Sequence, residues 1–196
     1  MAAALEVVAV LGSVTPPGRL QGSLEGALAR LNRAGTAKAQ LINLADRRIG
    51  LADGRPASAA NDDTEATIEL ISRADAALFA TPVYRGSLTG ALKNLFDQLP
   101  VSALQWKATA TLAMGARPEH FLGADRHLRD ILSFFGAVVA PVSGYLTSDD
   151  FTDGLPTPRA EAHVDELLGG LVELARALRV AEGGLGPAPL AATRRQ

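Results

Sequence analysis

A three-layer α/β fold built on an open parallel sheet is predicted by three observations. Five short Val/Ala/Leu-rich runs recur along the 196 residues. Each is continuously apolar instead of alternating, as a strand buried on both faces must be. Between the runs lie segments whose apolar residues repeat at helical spacing, so strand and helix alternate throughout. The chain is also too short for a closed eightfold barrel, which needs about 250 residues.

The first strand covers 5–11 and runs into Gly12-Ser13, where the chain must turn. A helix over 20–32 leads to strand two over 39–44. Helix two spans 63–74, with Thr64 as its expected cap and Thr67 where a capping box would place Glu. Strand three covers 76–81, and Pro82 turns the chain out of the sheet, leaving the backbone of residues 83–86 unpaired. Helix three over 89–99 is stopped by Pro100, strand four covers 108–114, and helix four over 119–135 is stopped by Gly136. Strand five covers 137–142, and the last helix covers 160–178. Segments 50–60 and 148–158, rich in turn residues, read as surface loops. Five parallel strands with helices on both faces then take the flavodoxin-like order 2-1-3-4-5. Residues 1–182 read as one domain, and 183–196, with its Gly, Pro and Ala content, as a flexible tail.

Composition removes several kinds of chemistry. A net charge of −2 gives no basic field for nucleic acid. With 47% hydrophobic and 20% charged residues the chain is too apolar for disorder. No apolar run reaches the roughly 18 to 20 residues a membrane helix requires. The apolar N-terminus lacks a positive flank, so it reads as a strand in a cytoplasmic protein, not as a signal peptide. Zero cysteines exclude disulfides, thiolate metal sites and cysteine nucleophiles. His120, His127 and His163 stand without carboxylates at metal-ligand spacing, so no metal site is expected.

Ligands in such sheets bind beyond the carboxyl ends of the strands. After strand one, Gly12 to Arg19 opens a helix whose N–H groups attract anions. Ser13 and Thr15 add hydroxyls there, and Arg19 adds a charged fork. A phosphate site and an ordinary loop of turn residues both fit this segment. It is not a Walker A loop, since Arg19 and Leu20 stand where Lys and a hydroxyl are needed. After strand three, Pro82, Val83, Tyr84, Arg85 and Gly86 offer backbone groups and an aromatic wall to a flat heterocycle. After strand four, Gly115, Ala116 and Arg117 form a second irregular exit. The three exits outline a cleft with a phosphate end and a planar-ring end, which fits a mononucleotide, FMN above all.

Gly12-Ser13, the run from Thr81-Pro82-Val83-Tyr84 through Gly90-Ala91-Leu92-Lys93-Asn94 to Asp97-Gln98-Leu99-Pro100, and Met114-Gly115 resemble the NADPH-dependent FMN reductase family. Within it, the likeness is greatest to the flavin reductases of two-component alkanesulfonate monooxygenase systems. The resemblance implies a flavodoxin-like fold, a homodimer or homotetramer, and hydride transfer from NADPH or NADH to FMN. It also implies that Ser13 and Arg19 hold the FMN phosphate, Pro82, Val83 and Tyr84 the isoalloxazine edge, and Gly115 and Ala116 its pyrimidine end. Helix four would lie at a subunit interface, with Arg126 or His127 where some members carry a π-bulge. Where the family has a cluster of hydroxyl residues after the arginine, this chain has Leu20 and Gln21.

Such hydride transfer needs stacking and exclusion of water more than an acid or base, so no catalytic side chain is assigned. Arg85 and Arg117 stand as candidates for the nicotinamide nucleotide's phosphates, or as solvated surface residues. Delivery of reduced flavin to a flavin-dependent monooxygenase is the first functional expectation. An FMN-containing quinone or azo-dye reductase and a flavodoxin-like electron carrier are the alternatives. The apolar stretch 131–135 with Trp106 suggests a homo-oligomer.

Overall fold

The computed structural model describes residues 4–15, 17–180 and 184–193. Strands β1 (Leu5–Leu11), β2 (Ala37–Asn43), β3 (Ala76–Pro82) and β4 (Ala108–Met114) alternate with helices α1 (Arg19–Arg33), α2 (Thr64–Arg73) and α3 (Gly90–Gln98). Helix α4 (Phe121–Phe134) follows β4, and α5 (Pro158–Leu178) closes the fold. All pairings in the main sheet are parallel, in the order β2-β1-β3-β4-β5 with β5 at Val138–Val139, as the sequence predicts.

Two apolar layers form because both sheet faces are covered. One is built from Val7, Ala9, Leu11, Leu78 and Leu112 against α1 and α5. The other packs Val8, Val10, Phe79 and Ala77 against α2, α3 and α4. Phe79 meets the Phe96 ring at a centroid distance of 4.7 Å. With no polar face to show, β1, β3 and β4 read as nearly continuous apolar runs, whereas edge strand β2 alternates and exposes Lys38 and Gln40.

Three expectations need correction. The fifth strand is not one run over 137–142. It divides into β5 (Val138–Val139) and β6 (Gly144–Leu146), both paired with β4. Pro141 lacks the N–H that would continue the ladder, and the gap is held by side chains instead. Asp125 receives the Arg129 guanidinium, and Ser143 and Thr111 bond to Asp125 and to each other. The presumed loop 148–158 contains a hairpin of β7 (Phe151–Thr152) and β8 (Leu155–Pro156). Its two turn residues, Asp153 and Gly154, have φ of 51° and 81°, as a primed hairpin turn requires. Thr64 does not cap α2. It is the first helical residue, and its N–H donates to Asp62 Oδ1 at 2.9 Å. Helix α4 is α-helical throughout, with no π turn at Arg126 or His127.

Gly136 stops α4 at φ +68°, and Pro100 follows the end of α3. The 131–135 stretch is split, with Leu132 and Phe135 buried in the core and Ser133 and Phe134 exposed. Trp106 is half-buried, with Gly184 against its indole, and Pro189 lies against Gly136. Residues 183 and 194–196 of the expected flexible tail lie outside the described residues, as do 181 and 182 before it.

Candidate functional site

The exits of β1, β3 and β4 converge on one cavity of about 200 Å³, lined in part by Leu11, Ser13, Thr15, Arg19, Pro82 and Met114. Its polar end is the turn into α1. Ser13 Oγ and Thr15 Oγ1 lie 2.8 Å apart, and the N–H of Thr15 points to Ser13 Oγ at 3.4 Å. Pro16, within the same turn, lies outside the described residues. Gly18 caps α1 without a side-chain hydrogen bond, and no acid stands in the first turn. Free N–H groups and a positive helix end are therefore left facing hydroxyls and a guanidinium, which together suit an anion.

Gly12 and Thr89 hold this turn against the next helix. Gly12 N–H donates to Ala80 O at 2.8 Å, and its carbonyl accepts from the buried Thr89 hydroxyl. Thr89 Oγ1 also accepts from Leu92 N–H, capping α3, while its own N–H donates to Thr81 Oγ1. One threonine thus ties the ends of β1 and β3 to α3. Its sequence signal is a hydroxyl residue directly before a helical apolar pattern.

After β3 the backbone is less open than Pro82 suggests. Pro82 itself pairs with Met114, and Val83 N–H donates to Met114 O at 2.8 Å. Tyr84 and Ser87 exchange two backbone hydrogen bonds around Arg85 and Gly86, at φ of 53° and 79°. The pairing expected to be absent is supplied by a tight turn and by β4. Helix α4 clamps that turn, with Ser87 Oγ 2.7 Å from His127 Nδ1. A Cβ on Gly123 would stand 2.7 Å from Gly86 O. Tyr84 is exposed at the turn, and of the residues expected at the ring end only Pro82 lines the cavity, while Val83, Tyr84, Arg85, Gly86, Gly115, Ala116 and Arg117 stand outside its lining.

Tyr145, on β6, escaped the sequence reading because it follows the strand break. Its hydroxyl donates to Arg117 O at 2.9 Å and stands 2.1 Å from where a Cβ on Gly115 would be. Burial, with the charge of Glu119 adding to it, pushes the phenol above its ordinary range, so it remains a donor at neutral pH. Gly115 is therefore small because a tyrosine covers it, and Val83 Cγ2 lies 3.5 Å from the same point. Val83 and Gly115 thus adjoin, while Ala116 and Arg117 stand at the exposed rim.

A larger cavity of about 320 Å³ lies between 140–144 and α5, lined by His163, Glu166 and Leu167 among others. It contains no residue from the exits of β1 or β3. His163 Nε2 accepts from Tyr145 N–H at 3.3 Å. Among the described residues there is no cluster of metal-ligating side chains and no helix long and apolar enough to cross a membrane.

A parallel sheet of this order, with an anion-suited turn at the β1/β3 switch point, defines a flavodoxin-like mononucleotide-binding protein. The family model described as NADPH-dependent FMN reductase matches residues 5–152, and the chain belongs to that family of oxidoreductases. It is 40% identical over 137 residues to the NAD(P)H-dependent FAD/FMN reductase of Geobacillus thermodenitrificans, covering 69% of this chain and 74% of that protein. It is 37% identical over 155 residues to the NADH-dependent FMN reductase SfnF of Pseudomonas fluorescens, covering 78% and 82%. Among solved structures, the apo NADH:FMN oxidoreductase EMOB superimposes with a TM-score of 0.66 at 25% identity, covering 97% of both chains.

Proposed function

We propose that this protein reduces FMN with NADPH or NADH and releases the reduced flavin to a flavin-dependent monooxygenase. The observation that carries the reading is the cavity joining the anion-suited turn before α1 to the ends of β3 and β4. The donor set fits FMN at its phosphate end, where hydroxyls, free helix N–H groups and one guanidinium meet with no carboxylate in the helix's first turn. Bound FMN would supply a hydride acceptor that no side chain of this chain can provide.

In this reading Ser13, Thr15 and Arg19 hold the phosphate, Pro82, Val83, Tyr84, Arg85 and Gly86 border the ring, and Gly115 and Ala116 face its pyrimidine end. Arg117 stands at the rim for a nicotinamide nucleotide. The chain's contribution is orientation and exclusion of water. The Thr89 latch fixes the phosphate turn, and α4 fixes the turn after β3. With Leu20 and Gln21 in place of further hydroxyls, flavin exchanges during turnover and behaves as a substrate. The reductase domain is taken as 1–182, and the site of action as the cytoplasm.

NADPH and NADH oxidation by flavin-free protein is expected to be negligible and to rise with added FMN, as followed by absorbance of the reduced nicotinamide. Equal rates with and without FMN would overturn the reading. Stoichiometric FMN retained through exhaustive dialysis would favour a quinone- or dye-reducing enzyme instead.

The assembly proposed is a homodimer or homotetramer through α4. Phe121 and Leu122 at the start of that helix and Phe134 at its end are exposed, as is Tyr84, more apolar surface than a free helix gains by showing to water. Light scattering at micromolar concentration is expected to give a dimer or larger mass, and a monomer mass would reject it.

A further inference from the structure

We propose that Phe151, at the start of the β7–β8 hairpin, and Ser148, in the turn that leads into it, are positioning residues that hold the Arg19 guanidinium ready for the flavin phosphate. This rests on the reading of Arg19 as a phosphate ligand. The Arg19 Cζ lies 5.1 Å from the centroid of the Phe151 ring, and Nη2 donates to Ser148 Oγ at 3.3 Å. A guanidinium stacked on an aromatic face uses its face for that contact and keeps its in-plane N–H groups for an anion. The two contacts therefore narrow the rotamers of a long exposed side chain and engage one N–H of Nη2, while its remaining N–H groups stay available.

The hairpin is built to hold this position. Ser148 begins a turn closed at both ends by Thr147 and Asp150. The buried Asp150 carboxylate accepts from Thr147 N–H at 2.8 Å, from the Thr147 hydroxyl and from Arg159 Nη2 at 2.7 Å. Burial alone would raise its pKa, but the Thr147 N–H, the Arg159 guanidinium and the Thr147 hydroxyl outweigh it, and the carboxyl stays below its usual range. Asp150 O takes Thr157 N–H, and Thr157 caps α5. Phe151 packs against the core layer beneath α1 and α5. The platform is thus anchored to α5, whereas Arg19 belongs to α1. No sequence-local interaction could fix that arginine from the same side.

The test compares FMN with riboflavin, which lacks the phosphate, by fluorescence titration of the flavin-free full-length protein. Phe151→Leu keeps an apolar side chain and removes the ring. It is expected to raise the FMN dissociation constant about three- to fivefold, as an exposed cation–π contact implies. Riboflavin should change by less than about twofold. Phe151→Tyr should restore FMN binding, and Ser148→Ala, which leaves the core untouched, should weaken FMN alone by about twofold. Equal loss for both flavins in Phe151→Leu, or no loss for either, overturns the inference while Arg19→Ala still separates the two flavins. If Arg19→Ala does not separate them, the phosphate reading fails and the inference fails with it.

Discussion

Replacing Arg19 by alanine is expected to raise the FMN dissociation constant roughly ten- to a hundredfold while moving that of riboflavin by less than about twofold. A hydrogen bond to a charged group contributes about 1.5–3 kcal/mol, and a factor of ten corresponds to about 1.4 kcal/mol. Stability should behave differently from affinity. Arg19 is the first residue of α1, where the helix dipole favours anions and opposes a cation by about 0.3–1 kcal/mol. The Phe151 contact offsets a similar amount, so removing both leaves the flavin-free protein about as stable as before. A cation placed where the fold itself gains nothing from it is explained by an anion that comes from outside. Paired titrations with FMN and riboflavin, together with urea unfolding of the flavin-free protein, check both halves. Equal weakening of the two flavins would remove Arg19 from the phosphate end.

The parts of this arrangement that the sequence makes visible are those set by local chemistry. Apolar runs mark β1, β3 and β4 because strands covered on both faces need no polar residues, and Gly136 and Pro100 mark helix ends by their backbone limits. Gly12-Ser13 and Met114-Gly115 mark two exits for the same reason. What remained hidden depends on distant pairing. The partner of Val83 N–H is a carbonyl of β4, and the partners of Tyr84 lie across a turn whose form Arg85 and Gly86 set by their positive φ. Tyr145 and Phe151 reach the site only because strand five breaks near Pro141 and then resumes. The Asp153-Gly154 dipeptide was a readable hairpin signal, but nothing local tells that its first strand delivers a ring to Arg19. Similarly, Thr89 reads as a helix cap, while its bond to Gly12 is a contact across 77 positions.

Gly12→Ala should be the most disruptive single-methyl change at the site, costing about 3 kcal/mol, at the upper end for overpacking. For a chain of this size that lowers the midpoint of thermal unfolding by roughly 6–12 °C. Gly12 does not need glycine for its φ, which lies outside the left-handed region. It needs glycine for space. A Cβ there would stand 2.6 Å from Leu92 Cβ, 3.0 Å from its Cδ2 and 3.2 Å from its Cγ. The outer atoms of Leu92 can move, but its Cβ is fixed to the α3 backbone. Relief therefore requires α3 to back away from β1, and that motion pulls Thr89 from the Gly12 carbonyl and unseats the phosphate turn. FMN binding should fall together with stability, unlike in Arg19→Ala. Leu92→Ala supplies the control, because it removes Cγ and Cδ2 but keeps Cβ. Added to Gly12→Ala it should restore neither stability nor FMN affinity, as judged by urea unfolding and flavin titration. A double variant as stable as Leu92→Ala alone would show that the outer side chain, and not the close approach of the two backbones, makes Gly12 necessary.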